Sequence, residues 1–373
     1  MSDTKNADAK LSLRQNLITI APLILGLVIL LIFINLMGFW SIVNTVKAFS
    51  PSIMFIAFIL NGLGLLLYGV AWYILIKASG SFIRFKVCLG AALAAIFMYY
   101  LMPSGFFLEA VRIMIAEKEA KVKIGVGTAT VVMHRILFLF GFIIYGILSI
   151  VALTLEFNLS IYIFQKYLIA IGALLFGTIA ALYLPLNVSM LDKLTQYILK
   201  KIKPFILKFL FKYGYESTLD QIKYFLNDFR EGFKSLVKNK HHLVLALFAI
   251  MGYWFTSVLI MFLTFKGLNY EVPIWIPIFA MIVGDLIQMT PIIIPGMLGI
   301  FETAVSIVLN AFKIPINIAV SATLLSRIAT FWFDIPITGI AAMYFGTKYM
   351  GKTFLKLSKP LFETNNSMNE KAL

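Results

Sequence analysis

Eight ionisable residues, Glu109, Arg112, His134, Arg135, Asp285, Glu302, Arg327 and Asp334, fall inside strongly apolar stretches of the sequence. A charge at the centre of a bilayer costs roughly 2.5–3.5 kcal/mol, so eight facing lipid would cost on the order of 20 kcal/mol. The net stability of a folded chain is only ~5–15 kcal/mol. These side chains must therefore face one another or a wet cavity. Their spacing also repeats. Pro103 and Gly105 precede Glu109, and Arg135 follows 26 residues after it; Pro295, Gly296 and Gly299 precede Glu302, and Arg327 follows 25 residues on. Each copy has helix breakers, a carboxylate just beyond them, and an arginine about one long helix away.

Two kinds of chemistry suit this pattern. In the structural one, Glu109 and Glu302 sit in the first turn of a half-helix, where free N–H groups and the positive dipole end favour a carboxylate. Arg135 and Arg327 are then their ion-pair partners and fasten the repeats together. In the other, two half-helix N-termini and the arginines form a midplane site for an anion such as a lipid phosphate. Arginine suits bidentate phosphate recognition, which puts Arg135 and Arg327 first among substrate-binding candidates. Arg112 stands one turn from Glu109, within pairing reach. Asp285 and Asp334 read either as proton or ion sites or as partners for the arginines. His134 reads either as a group titrating near neutral pH or as a hydrogen-bonded packing residue.

The elements that must hold these residues are membrane helices. Of 373 residues, 61% are hydrophobic and 13% charged, and the mean hydropathy is +0.93. Several stretches reach the roughly 20 apolar residues needed to cross a bilayer. The expected fold is an all-α polytopic membrane protein, a single membrane domain over 1–373. Spans are expected near 17–39, 52–76, 125–154, 161–185, 243–265 and 315–346. Two broken pairs, 87–102 with 106–117 and 274–294 with 297–312, are individually short for a ~30 Å hydrocarbon core and suggest re-entrant hairpins.

Basic residues test the path. Segments 77–86, 117–123, 186–241 and 347–373 are basic, whereas 40–50, 155–160 and 266–273 are poor in Lys and Arg. A cytoplasmic N-terminus (residues 1–16) puts every basic segment, including the tail 347–373, on the cytoplasmic side. This N-in/C-in path holds with about six full crossings plus two re-entrant hairpins, and equally with ten crossings. Segments 52–155 and 242–346 then become repeats of opposite orientation, the plan of secondary transporters with broken helices at mid-membrane. The loop 186–241 carries 11 Lys or Arg against 5 Asp or Glu, which fixes orientation or lays a helix on an anionic headgroup surface.

The residues of the two copies resemble the lysylphosphatidylglycerol synthase transmembrane-region family, also called the flippase-like domain. Its first-half Pro–Gly–Glu–x–x–Arg element and later arginine are matched by Pro103, Gly105, Glu109, Arg112 and Arg135. Its second-half Pro-Gly-x-x-Gly-x-x-Glu element and Leu-Leu-x-Arg helix are matched by Pro295, Gly296, Gly299, Glu302, Leu324, Leu325 and Arg327. The sequence departs from the pattern at Leu108, at Met297 and at His134, which stands where an acidic residue often precedes the arginine. About 27 residues follow the last expected span, so the resemblance implies a stand-alone lipid-translocase-like protein without the soluble aminoacyl-transferase of bifunctional members.

Several classes lack support. No GxxxxGK[ST], HExxH, paired CxxC or GxSxG motif is present, and Cys88 is the single cysteine. No nucleotide-driven pump, metal centre, cofactor or hydrolase elbow is expected. The expected function is movement of a polar or charged lipid, or a lipid-linked precursor, between leaflets of the plasma membrane. The alternatives are an intramembrane enzyme or enzyme subunit acting on lipid phosphates, and a scaffold for envelope-lipid or glycan assembly. Expected partners are anionic lipid headgroups, envelope-lipid or glycan biosynthesis enzymes, and a second copy of the chain. Nucleic acid is not expected, because the net charge of +15 clusters between spans.

Overall fold

The computed structural model describes residues 39–101, 105–157, 175–183, 215–288 and 294–349, with isolated positions within 28–35, 169–173 and at 187. Regular structure among the described residues is helical, without strands. The order is α1 (Phe39–Lys47), α2 (Pro51–Ala78), α3 (Phe85–Leu101), α4 (Gly105–Ala120), α5 (Ile124–Phe157), α6 (Tyr215–Lys238), α7 (Lys240–Gly267) and α8 (Trp275–Gln288). A 3-10 turn (Pro295–Met297), α9 (Ile300–Ala311) and α10 (Ile316–Tyr349) follow, with a π turn at Ile328–Trp332 inside α10.

Four of these helices, α2, α5, α7 and α10, are long and apolar enough to cross a membrane. The 28 residues of α2 span about 42 Å at ~1.5 Å per residue, more than the ~30 Å hydrocarbon core. By contrast α3, with 17 residues, and α8, with 14, reach about 25 and 21 Å. The expected crossing at 17–39 lies almost wholly outside the described residues, as do the first breaker Pro103, most of the loop before α6, and the tail after Tyr349; that at 161–185 is described in part, with helix at 175–183.

Each half of the bundle runs long, short, short, long: α2 to α5, then α7 to α10. Within the halves α3 packs on α4 and α8 on α9, while α4 and α9 each lie against the long helix that follows. Between the halves α2 runs along α7 and α5 lies against α8. The mirror contact is α3 against the end of α10, where Phe97 meets Gly339 and Phe345 meets Gly90. Close approach of α2 and α7 depends on Gly64: a Cβ there would sit 2.5 Å from the Thr256 hydroxyl. Small residues allow this packing in lipid, where burying apolar area supplies no driving force. Outward-facing Phe55, Ile59, Phe248, Ile340 and Met343 are exposed, as a lipid-facing surface requires.

The basic segment 186–241 holds more than a loop. Its C-terminal part is α6, which buries Phe229, Phe233 and Leu236 against α5. Ser235 and Asn239 donate to the carbonyl of Ala78 at 3.0 and 2.8 Å. A carbonyl that the end of α2 leaves without an intrahelical partner is thereby satisfied. The more basic and apolar run 202–214 lies outside the described residues.

Candidate functional site

The second-half centre starts from two glycines in left-handed backbone. Gly299, at φ 80°, caps α9, and its N–H donates to Glu302 Oε2 at 2.7 Å. A carboxylate three residues into a helix can reach back in this way and satisfy a free N–H group. The other oxygen, Oε1, accepts from Arg327 Nε at 2.7 Å. Arg327 Nη2 donates to the carbonyl of Gly296 at 2.5 Å. Gly296 has φ 60°, and a Cβ there would lie 2.2 Å from the Phe331 ring, so only glycine fits. The guanidinium carbon lies 4.2 Å from the Phe331 ring centroid and 4.8 Å from that of Phe301. The pair is closed off: the side chains of Arg327 and Glu302 are 6% and 2% exposed.

The first-half centre uses the same residue types differently. Glu109 is the fifth residue of α4 and not in its first turn, which corrects the expectation from sequence; its oxygens are taken by arginines. Oε2 accepts from Arg112 Nε at 3.0 Å and from Arg112 Nη2, and Oε1 accepts from Arg135 Nε. Arg112 is fully buried, its guanidinium carbon 5.1 Å from Trp72 and 5.6 Å from Tyr68. These aromatic faces favour the cation where no further acceptor is offered. Arg135 is different. Its side chain is 38% exposed, and among the described residues it hydrogen-bonds only through Nε.

Arg135 lines a cavity of about 120 Å³ between the two halves, with Asp285 on α8. Tyr99 and Tyr100 of α3, Tyr253 of α7 and Gln288 of α8 also face it. Among the described residues Asp285 pairs with no arginine, and its side chain accepts from Gln288 Nε2 at 3.4 Å. Asp334 is likewise not an arginine partner and accepts from Asn61 and Tyr100. His134 does not line the cavity. It packs edge-on against Tyr68, with centroids 4.7 Å apart.

Four consequences follow for the sequence-derived candidates. Glu109, Arg112 and Arg135 are brought together, and so are Glu302 and Arg327 with Gly296 and Gly299. Both pairings lie within a half, so they fasten each short helix to its own long helix and not one repeat to the other. The residue immediately before Arg135 is His134 and not an acidic one, but Glu109 supplies the carboxylate in space. Sequence reading missed the tyrosines and Asn61; the sign available was the pair Tyr99-Tyr100, polar-tipped residues in an apolar run just before the expected break.

The sequence profile described as "Lysylphosphatidylglycerol synthase TM region" matches residues 19–337. Similar proteins include two, each named "UPF0104 membrane protein", from Methanothermobacter thermautotrophicus. One is 24% identical over 90% of this chain and 98% of its own length; the other is 23% identical over 90% and 95%. "UPF0104 membrane protein MJ1595" from Methanocaldococcus jannaschii is 28% identical over 86% of this chain and 93% of its own. No solved structure matches the chain.

Proposed function

From the premise that the chain belongs to the lysylphosphatidylglycerol synthase transmembrane-region family of integral membrane proteins, we propose that it translocates a polar or charged lipid between leaflets. The observation that carries this reading is Arg135. It is a partly exposed intramembrane cation that, among the described residues, hydrogen-bonds only through Nε, with its two terminal nitrogens left to grip an anion in a cavity between the halves. Two parallel N–H donors are what bidentate phosphate recognition uses.

The cavity's size supports reading this as the closed state. About 120 Å³ holds about four waters at ~30 Å³ each, far less than the ~300 Å³ at which ligand pockets begin. A headgroup enters only when the halves separate. The correspondence of α2–α5 with α7–α10 supports two units that rock against each other, with re-entrant hairpins α3–α4 and α8–α9 meeting at mid-membrane and both termini on the cytoplasmic side of a plasma membrane.

Reconstitution in liposomes with headgroup-labelled lipids tests the reading. Anionic lipids are expected to cross several-fold faster than in protein-free vesicles, and faster than neutral ones. Rates equal to protein-free vesicles for every headgroup would refute translocation. Mass spectrometry of the recovered lipid separates this from enzymatic turnover: the recovered lipid is expected unchanged.

A further inference from the structure

The two halves are also joined by a carboxylate that, among the described residues, pairs with no cation. Asp334 on α10 is 5% exposed. Its Oδ1 accepts from the Asn61 amide of α2 at 2.5 Å, and its Oδ2 accepts from the Tyr100 hydroxyl of α3 at 2.7 Å. Both donors are neutral, and both belong to the opposite half. Among the described residues Asp334 makes no ion pair. The ionisable groups that act on it are Tyr100 of α3, Tyr253 of α7 and, on its own helix, Arg327; Tyr99 of α3 and Asp285 of α8 line the cavity that Tyr100 also lines. From α2 it meets only the neutral Asn61 amide. Arg327 is already committed to Glu302 and the Gly296 carbonyl.

A buried carboxylate served only by neutral donors is costly as an anion. It gains most from taking up a positive charge. A hard metal cation wants six or more oxygen ligands, whereas here the two groups facing the carboxylate present hydrogens. A proton fits. Tyr100 also lines the cavity that Arg135 and Asp285 line, so Oδ2 is one hydroxyl away from that cavity. We propose that Asp334 is a proton-binding site, protonated at Oδ2, that couples lipid translocation to a proton gradient.

The stereochemistry limits what changes. An amide nitrogen can only donate, so the Asn61 bond keeps Oδ1 as an acceptor in both states. A hydroxyl can donate or accept. When a proton passes from cavity water to Oδ2, the new O–H becomes the donor and the Tyr100 hydroxyl must turn to accept it or swing into the cavity. Release returns the proton to water and restores the original bond. Protonation thus alters the link between α10 and α3, the helix that leads into the first hairpin, and leaves the link to α2 unchanged.

The coupling rests on the translocation reading; the proton site does not, and the two are measured separately. Infrared difference spectra of the purified full chain, recorded from alkaline to acidic pH, are expected to show a rising carboxylic-acid C=O band. The band is lost in Asp334→Asn and shifts in Tyr100→Phe, which retains the carboxyl group and serves if Asp334→Asn does not fold. A spectrum with no Asp334-dependent band, or one that Tyr100→Phe leaves unmoved, overturns the site. In proteoliposomes, an imposed pH gradient is expected to raise the wild-type rate for a labelled anionic lipid several-fold, and Asp334→Asn is expected to be indifferent to it. Full stimulation in Asp334→Asn, or stimulation by a sodium gradient in place of protons, overturns the coupling. A wild type inert under every gradient refutes translocation and coupling together, while the infrared result still decides the proton site.

Discussion

At Glu302 one oxygen is held by a backbone N–H and the other by Arg327, and Arg327 commits a second nitrogen to the Gly296 carbonyl. At Glu109 both oxygens go to arginines, and of these Arg112 is sealed against Trp72 while Arg135 stays half open to the cavity. The same pair of residue types therefore does two jobs. In the second half the Gly299 N–H and the Nε and Nη2 of Arg327 go to closing a turn built on left-handed glycines, and the result is a buried joint. In the first half a second arginine neutralises the carboxylate, which leaves Arg135 partly free for a ligand. A spare cation, more than a buried one, marks a place for an anion.

Breaking the closed centre should have the largest effect. Arg327→Ala leaves Glu302 buried without its cation, and removing one partner of a buried pair costs about 3–5 kcal/mol. Thermal unfolding in detergent should show a large drop in midpoint and a loss of monodisperse protein. Gly296→Ala should come next, at about 1–3 kcal/mol for a non-glycine residue held in left-handed backbone, with the Phe331 ring forced aside. The double change Gly296→Ala with Phe331→Leu should recover the steric part and leave the backbone part. Arg135→Ala should be far milder for folding, because Arg112 still pairs with Glu109; a partly exposed pair is worth about 0–1 kcal/mol. The smallest expected effect is that of Arg135→Lys. It keeps the charge but not the two-pronged geometry, so translocation should fall several-fold with an unchanged unfolding midpoint.

Much of this was legible before any coordinates. The helices α2, α5 and α7 fall within three residues of the expected spans, because apolar runs ending at Lys or Pro leave little choice. The break between α8 and α9 was announced by Pro295 and Gly296. The two Glu–Arg pairings followed from the cost of leaving charges in lipid. What stayed hidden depended on relations that a linear pattern does not carry. Glu109 looked like a helix cap, but α4 already begins at Gly105, and two arginines claim the carboxylate instead. The π turn after Arg327 has no signature in sequence, yet it contains Phe331, whose ring faces the Arg327 guanidinium. Asn61 and Asp334 are 273 positions apart, and nothing local to either points to the other. The packing of α6 did leave a sign, in Phe229, Phe233 and Leu236 at helical spacing, but the charge of the surrounding segment drew the eye to the membrane surface.

The central claim is that Arg135 serves a ligand while Arg327 serves the fold. Its most direct test is translocation of an anionic lipid by Arg135→Ala, reconstituted at equal density and compared with wild type after their unfolding midpoints have been matched. The rate is expected to fall at least about tenfold, equivalent to the ~1.4 kcal/mol of a single lost charged contact, with the midpoint within a few degrees of wild type. An undiminished rate in that well-folded variant would contradict the account.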